Sequence, residues 1–203
     1  MNNPVFDQIK DVFKSTRDSL PRQAAAVLVP LVERDGEICL LFQVRAKTLR
    51  SQPGEISFPG GRIDAGEQPK EAAIRETREE LNVTVEEIEV IGTLEPLVTP
   101  NRSIIYPYVG IIQANQIDPS PDEVDHIFYV PLNALLNARP IEGEMEWRIR
   151  PGKAVPTSRM ANREAYLDRT YKVVEHFYEH EDYLIWGLTA KILRQVLSMI
   201  SRY

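Results

Sequence analysis

The chain has 203 residues, 43% of them apolar, and a net charge of −6. That length suits one elaborated domain with a sizeable core. No apolar run reaches the ~18 residues of a membrane span, and the acidic balance argues against a broad nucleic-acid surface, which needs an excess of Lys and Arg.

The N-terminal stretch mixes charged and apolar residues. It lacks the apolar core and small-residue cleavage site of a signal peptide. Its Val5, Phe6, Ile9, Val12 and Phe13 recur at helical spacing and predict an amphipathic helix over about 3–19, ended by Pro21. A closing helix is expected over about 185–201, so the whole chain, 1–203, reads as a single domain. The lone Cys39 excludes an internal disulfide and a Cys-based zinc site, and its setting in "EICLLFQV" reads as a packed thiol on a buried strand. A soluble cytoplasmic protein is the expectation.

"QAAAVLVPLVE" and "EICLLFQVR" read as two strands joined by a turn at Asp35-Gly36. Pro and Gly punctuate 53–66, a loop with a short strand at "ISF". Residues 69–81 predict a helix. Pro69 suits its first turn, Asn82 a left-handed stop, and Ala73, Ile74, Thr77 and Leu81 its buried stripe. "EIEVIGTLEPLVT" and "IIYPYVGIIQ" read as strands, and "EVDHIFYVPLNALL" as a strand running into a helix. Arg139 to Glu146 reads as irregular. The stretch from Arg169 to Leu188 has strand character without a clear pattern. In the closing helix, Leu188, Ile192, Leu193, Val196 and Ile200 fall on one side. The sum is one mixed α/β domain with helices packed on a sheet.

The segment "IRETREEL" puts Glu76, Glu79 and Glu80 on one helical face, where like charges repel by a few tenths of a kcal/mol per pair. A solvated face, a like-charge acid–base pair, a surface for a basic partner and a divalent-cation site all explain such crowding. The residues upstream favour the cation. Gly60 and Gly61 allow backbone to come close to a ligand, and Glu67 adds a carboxylate just before the helix.

In that context Gly61, Glu67, Arg75, Glu76, Glu79, Glu80 and Val83 resemble the Nudix box. Thr77 stands where an apolar residue is usual, and Asn82 where Gly is usual. Thr77 can bury its methyl and bond its hydroxyl back to the helix. The resemblance implies an α/β/α sandwich with a mixed sheet, and hydrolysis of a nucleoside diphosphate linked to another group. It implies Glu76, Glu79, Glu80 and the Gly60 carbonyl as ligands for Mg²⁺ or Mn²⁺, with Arg75 orienting a glutamate such as Glu67. Glu79 is the first candidate for the general base. Glu123, in "PSPDEVDHIF", is the second, although a helix or strand flank in a solvated acidic turn is the preferred plain reading of it.

Just upstream, "LFQVRAKTLRSQPGEISFPGG" concentrates Arg45, Lys47 and Arg50 in an otherwise acidic chain. Arg forks suit phosphate, whereas the plain reading is solvated charges at a strand end. Arg45, Ala46, Arg50, Gly54, Phe58, Pro59, Gly60 and Gly61 resemble the signature of coenzyme A diphosphatases. Phe42 and Gln43 depart from it on a strand, away from its charged positions. This resemblance implies cleavage of coenzyme A, its thioesters or its oxidised forms into adenosine 3′,5′-bisphosphate and 4′-phosphopantetheine. Arg45 or Arg50 would take the phosphate that the metal does not reach. Another diphosphate such as ADP-ribose, and a module that senses a nucleotide without cutting it, remain the alternatives. The partner implied is a small molecule, with neither nucleic acid nor membrane, and the sequence leaves room for a homodimer. His126, His176 and His180 form no convincing metal set, and Tyr171, Phe177, Tyr178 and Tyr183 read as core or interface.

Overall fold

A computed structural model describes residues 24–99, 103–114, 116–167 and 169–202. The helix expected over 3–19 lies outside the described residues. Strand β1 (Ala24–Arg34) and strand β2 (Glu37–Arg45) form the expected hairpin. Its turn has positive φ at both Asp35 (52°) and Gly36 (79°), the twist that matches paired strands. β1 is the spine of the sheet. It pairs antiparallel with β2 and with β4 (Gly60–Arg62), and parallel with β7 (Ile104–Ile112). β3 (Ile56–Ser57) and β8 (Val124–Pro131) pair with β2, while β5 (Ile88–Thr93) and β6 (Leu97–Val98) pair with β7.

Helix α1 (Pro69–Leu81) has the bounds that the sequence predicts. Pro69 opens it, the Glu71 carboxylate accepts from the Gln68 N–H at 3.1 Å, and Asn82 stops it at φ 52°. One face of the sheet meets α1 through Leu28, Val32, Leu41, Leu81 and Ile112. Ala26, Ala72 and Ala73 are small where helix and strand come nearest. The other face buries Val29, Leu40, Phe42, Phe128 and Leu193 beneath α2 (Leu132–Asn137) and α3 (Gly187–Ile200). The result is the α/β/α sandwich with a mixed sheet. Among the described residues no helix is long and apolar enough to cross a membrane.

Several expectations are corrected. The span from Arg139 to Glu146 is not irregular: most of it belongs to β9 (Ile141–Ile149), which pairs with β10 (Arg169–His180) as a ribbon outside the main sheet. β11 (Tyr183–Ile185) pairs with the end of β10. The Pro/Gly loop holds β4 as well as β3. Leu188 is not on the buried side of α3. It stays exposed, and Thr189 is buried instead, its hydroxyl donating to the Ile56 carbonyl at 2.9 Å. On α1, Ile74 is only partly buried, whereas Glu80 is buried with the stripe.

Candidate active site

The β3–β4 turn delivers two glycines beneath the carboxylate face of α1, and each is required for a different reason. Gly60 has φ +150°, and a Cβ there would collide with the Ala26 carbonyl and the Val27 backbone. Gly61 has ordinary φ, but a Cβ would overlap the Glu76 carboxylate, with Oε1 at 2.6 Å. The missing side chain at Gly61 is therefore the cradle that seats Glu76.

Glu80 is the least expected member. It is 3% exposed, a rare place for a carboxylate. Its Oε2 accepts the Gly60 N–H at 2.8 Å and the Gln43 side-chain amide at 3.0 Å, and Oε1 lies 4.0 Å from Arg45 Nη1. Burial pushes its pKa up to about 7, against the opposing pull of the Gly60 N–H, the Gln43 amide and Arg45. Burial likewise raises Glu76, which Arg75 partly offsets. Gln43 corrects the sequence reading: it is not remote from the charged positions but donates to one of them. Its place on β2, two residues from Arg45 and pointing to the same side, was the signal available in the sequence.

Arg75 ties the loop to the helix. Its Nε and Nη2 donate to the two Glu67 oxygens at 2.9 and 3.0 Å, and its Nη1 donates to Glu76 at 2.8 Å. The guanidinium holds the Glu67 carboxyl below the usual range, and Glu67 in turn raises Arg75. Arg75 also donates to the Arg62 carbonyl at 3.0 Å. Thr77 is fully buried and donates back to the Ala73 carbonyl at 2.7 Å, so the departure from an apolar residue costs no unpaired polar group.

Glu79 is 57% exposed, with Arg75 Nη1 at 3.5 Å. The turn before β8 is drawn to the end of α1: Asn82 donates to the Asp118 carbonyl at 2.8 Å, and the Ser120 N–H to the Glu80 carbonyl at 2.9 Å. Glu123 lies in this turn, just ahead of β8. On the other side, the loop carrying Arg50 folds back on β2 through the Gly54 N–H and the Arg45 carbonyl at 3.0 Å. Arg50 is exposed there. Arg45 lines a cavity of about 260 Å³ with Gln52, Glu55, Ser57, Trp186 and Leu188, and its buried Nε has no hydrogen-bond partner.

Among the described residues no three His, Cys, Asp or Glu side chains converge as a finished metal-ligand set. The donors present nevertheless fit a hard divalent cation. All are oxygens, Glu76 is seated in a glycine cradle, and the buried Glu80 is a carboxylate that a nearby positive charge would compensate. His176 meets Arg194 and Glu142, and His126 meets Asp125 and Tyr183, so neither histidine faces this site.

A family profile described as the NUDIX domain matches residues 21–149. The peroxisomal coenzyme A diphosphatase NUDT7 of Mus musculus is 40% identical over 114 residues, which cover 55% of this chain and 48% of the mouse protein. The chain thus matches about half the length of that relative. Nudix hydrolase 3 of Caenorhabditis elegans is 32% identical over 197 residues, covering 91% of this chain and 76% of the other. The solved MutT/nudix family protein of Enterococcus faecalis superposes with a TM-score of 0.51 at 15% identity, over 95% of this chain and 69% of that one, and shows the fold alone.

Proposed function

The chain belongs to the Nudix hydrolase family, and from that membership we propose that it cleaves the diphosphate bond of coenzyme A or its derivatives with Mg²⁺ or Mn²⁺. The observation that carries the substrate is Arg45. It heads the upstream signature, stands 4.0 Å from Glu80, and lines a cavity of about 260 Å³. The mouse relative, named a coenzyme A diphosphatase, supports the same reading.

In this reading Glu76, Glu79, Glu80 and the Gly60 carbonyl would hold the cation. When bound, the cation would neutralise the diphosphate and acidify a water for in-line attack at phosphorus. The protein's own groups set the geometry. Arg75 clamps Glu67 and Glu76 so that the Glu76 carboxylate cannot rotate away. Gln43 and the Gly60 N–H fix Glu80 by one oxygen, leaving Oε1 turned towards Arg45. Glu79, the most exposed carboxylate of the face, takes the proton of the attacking water. Glu123 is the second candidate for that step. Arg45 and Arg50 hold phosphate that the cation does not reach. All four carboxylates of the box are present, which disfavours a module that only senses its ligand.

The test compares kcat/KM for coenzyme A, 3′-dephospho-coenzyme A and ADP-ribose in the wild type and Arg50→Ala. Coenzyme A is expected to be preferred, and Arg50→Ala to lose activity on it more than on the 3′-dephospho form. Equal losses on both would remove Arg50 from the 3′-phosphate. A preference for ADP-ribose would replace the substrate while keeping the carboxylate site.

A further inference from the structure

Resting on the coenzyme A reading, we propose that the cavity between Arg45 and the start of α3 is the subsite for the adenosine 3′-phosphate end of the substrate, with the Trp186 indole stacked on the adenine ring. The chemistry at the carboxylate face gives no role to Trp186 or Leu188. The cavity holds about 260 Å³, below the range of sites that enclose a whole drug-sized ligand, so it suits one moiety of a larger molecule.

Its walls are fixed by bonds within the protein. The Thr189 hydroxyl donates to the Ile56 carbonyl at 2.9 Å and pins the first turn of α3 to β3. The Arg45 N–H donates to the Glu55 carbonyl, and the Gly54 N–H to the Arg45 carbonyl, each at 3.0 Å. Trp186 and Leu188 nevertheless remain 44% and 37% exposed, two large apolar side chains left uncovered beside a cavity they line. The Phe177 ring lies 6.2 Å from that of Trp186 and 14° from parallel, and so steadies the indole as a flat platform.

The polar groups select which end of the substrate enters. Arg45 Nε is buried without a hydrogen-bond partner, a donor lacking its acceptor. Nη1 of the same guanidinium stands 4.0 Å from Glu80 Oε1, so Arg45 joins the cavity to the carboxylate face, where the diphosphate is proposed to bind. The moiety in the cavity is therefore one attached next to the diphosphate. Coenzyme A has two such moieties. The pantetheine arm is flexible and uncharged, whereas adenosine 3′-phosphate carries a flat ring and a phosphate together. An aromatic platform paired with a guanidinium matches the second. Glu55 orients it. Gln52 donates to Glu55 Oε2 at 2.7 Å, which leaves Oε1 to accept the exocyclic amine of adenine, and its negative charge turns the phosphate towards Arg45.

Trp147→Phe leaves Trp186 as the only tryptophan, so its fluorescence reports on this site directly. Adenosine 3′,5′-bisphosphate is expected to quench it saturably, and 4′-phosphopantetheine to leave it unchanged. In titration calorimetry, Trp186→Ala is expected to bind adenosine 3′,5′-bisphosphate about 10-fold more weakly, the scale of one lost base stack, while Trp186→Phe keeps a ring and stays within about threefold of wild type. Adenosine 3′,5′-bisphosphate that fails to bind, or binds without quenching Trp186, overturns the subsite. So does a folded Trp186→Ala with wild-type affinity, or a loss confined to 4′-phosphopantetheine. Coenzyme A cleavage by the same preparations separates this subsite from the proposed reaction. Cleavage with an unresponsive Trp186 strikes the subsite alone, whereas quenching without cleavage upholds the subsite and strikes the reaction.

Discussion

The two adjacent glycines that open β4 make a sharp prediction, because replacing them should fail in different ways. At Gly61 the backbone suits any residue, so Gly61→Ala perturbs only what lies over it. The new methyl would stand 2.6 Å from Glu76 Oε1, against the 3.4 Å or more of ordinary contact. The carboxylate must retreat by about 1 Å, a displacement that costs on the order of 10²-fold in rate when it misplaces a reacting group. Stability should fall by only about 1 kcal/mol, the scale of one partly exposed Arg75–Glu76 hydrogen bond. At Gly60 the obstacles are backbone, the Ala26 carbonyl and Val27 Cα, and φ is +150°. Gly60→Ala cannot relax without parting β4 from β1 and should cost about 3 kcal/mol or more. Urea unfolding, Mn²⁺ titration calorimetry and kcat for both variants separate the two outcomes. A Gly61→Ala enzyme with wild-type kcat and metal affinity would refute the cradle, and an equally stable Gly60→Ala would refute the backbone argument.

Gln43→Leu removes one of the two donors that hold Glu80, and should lower kcat/KM by roughly 10- to 100-fold with the fold intact; a change under threefold would make Gln43 a bystander. Thr77→Val should alter stability by less than about 1 kcal/mol, since the lost donor serves a carbonyl already inside the helix ladder; urea midpoints decide. Glu67 gives a pH test. Arg75 depresses its folded-state pKa, so its contribution is present above the unfolded value near ~4.3 and is lost as pH falls through the folded one. Glu67→Gln should be less stable than wild type at pH 7, and the gap should close on acidification. A gap that stays constant with pH would show that the Arg75 pairing is not its source.

Helix α1 was legible to its ends because local chemistry sets them: a proline opens it, an asparagine tolerant of positive φ closes it, and an apolar stripe runs between. The carboxylate face was legible for the same reason, as spacing along one helix. The burial of Glu80 was not, because it depends on Gln43, which comes from another element 37 residues away. β9 was obscured by its own composition. "EGEME" reads as solvent-loving irregular chain, yet Ile141, Met145, Trp147 and Ile149 carry the period of two. Both faces of that strand are exposed, so the contrast that marks a half-buried strand is missing. Leu188 was assigned to the core by periodicity, but it sits in the first turn of α3, where the helix leaves the sheet and borders the Arg45 cavity.

The central claim is metal-dependent cleavage of the coenzyme A diphosphate at the carboxylate face of α1. Its most direct test is product identification by mass after incubation with coenzyme A, with and without Mg²⁺ or Mn²⁺, for the wild type and Glu80→Gln. The account predicts adenosine 3′,5′-bisphosphate and 4′-phosphopantetheine only when the metal is present, with the rate reduced roughly 10³-fold in the variant. Intact coenzyme A in the presence of either metal, or equal cleavage by Glu80→Gln, would contradict it.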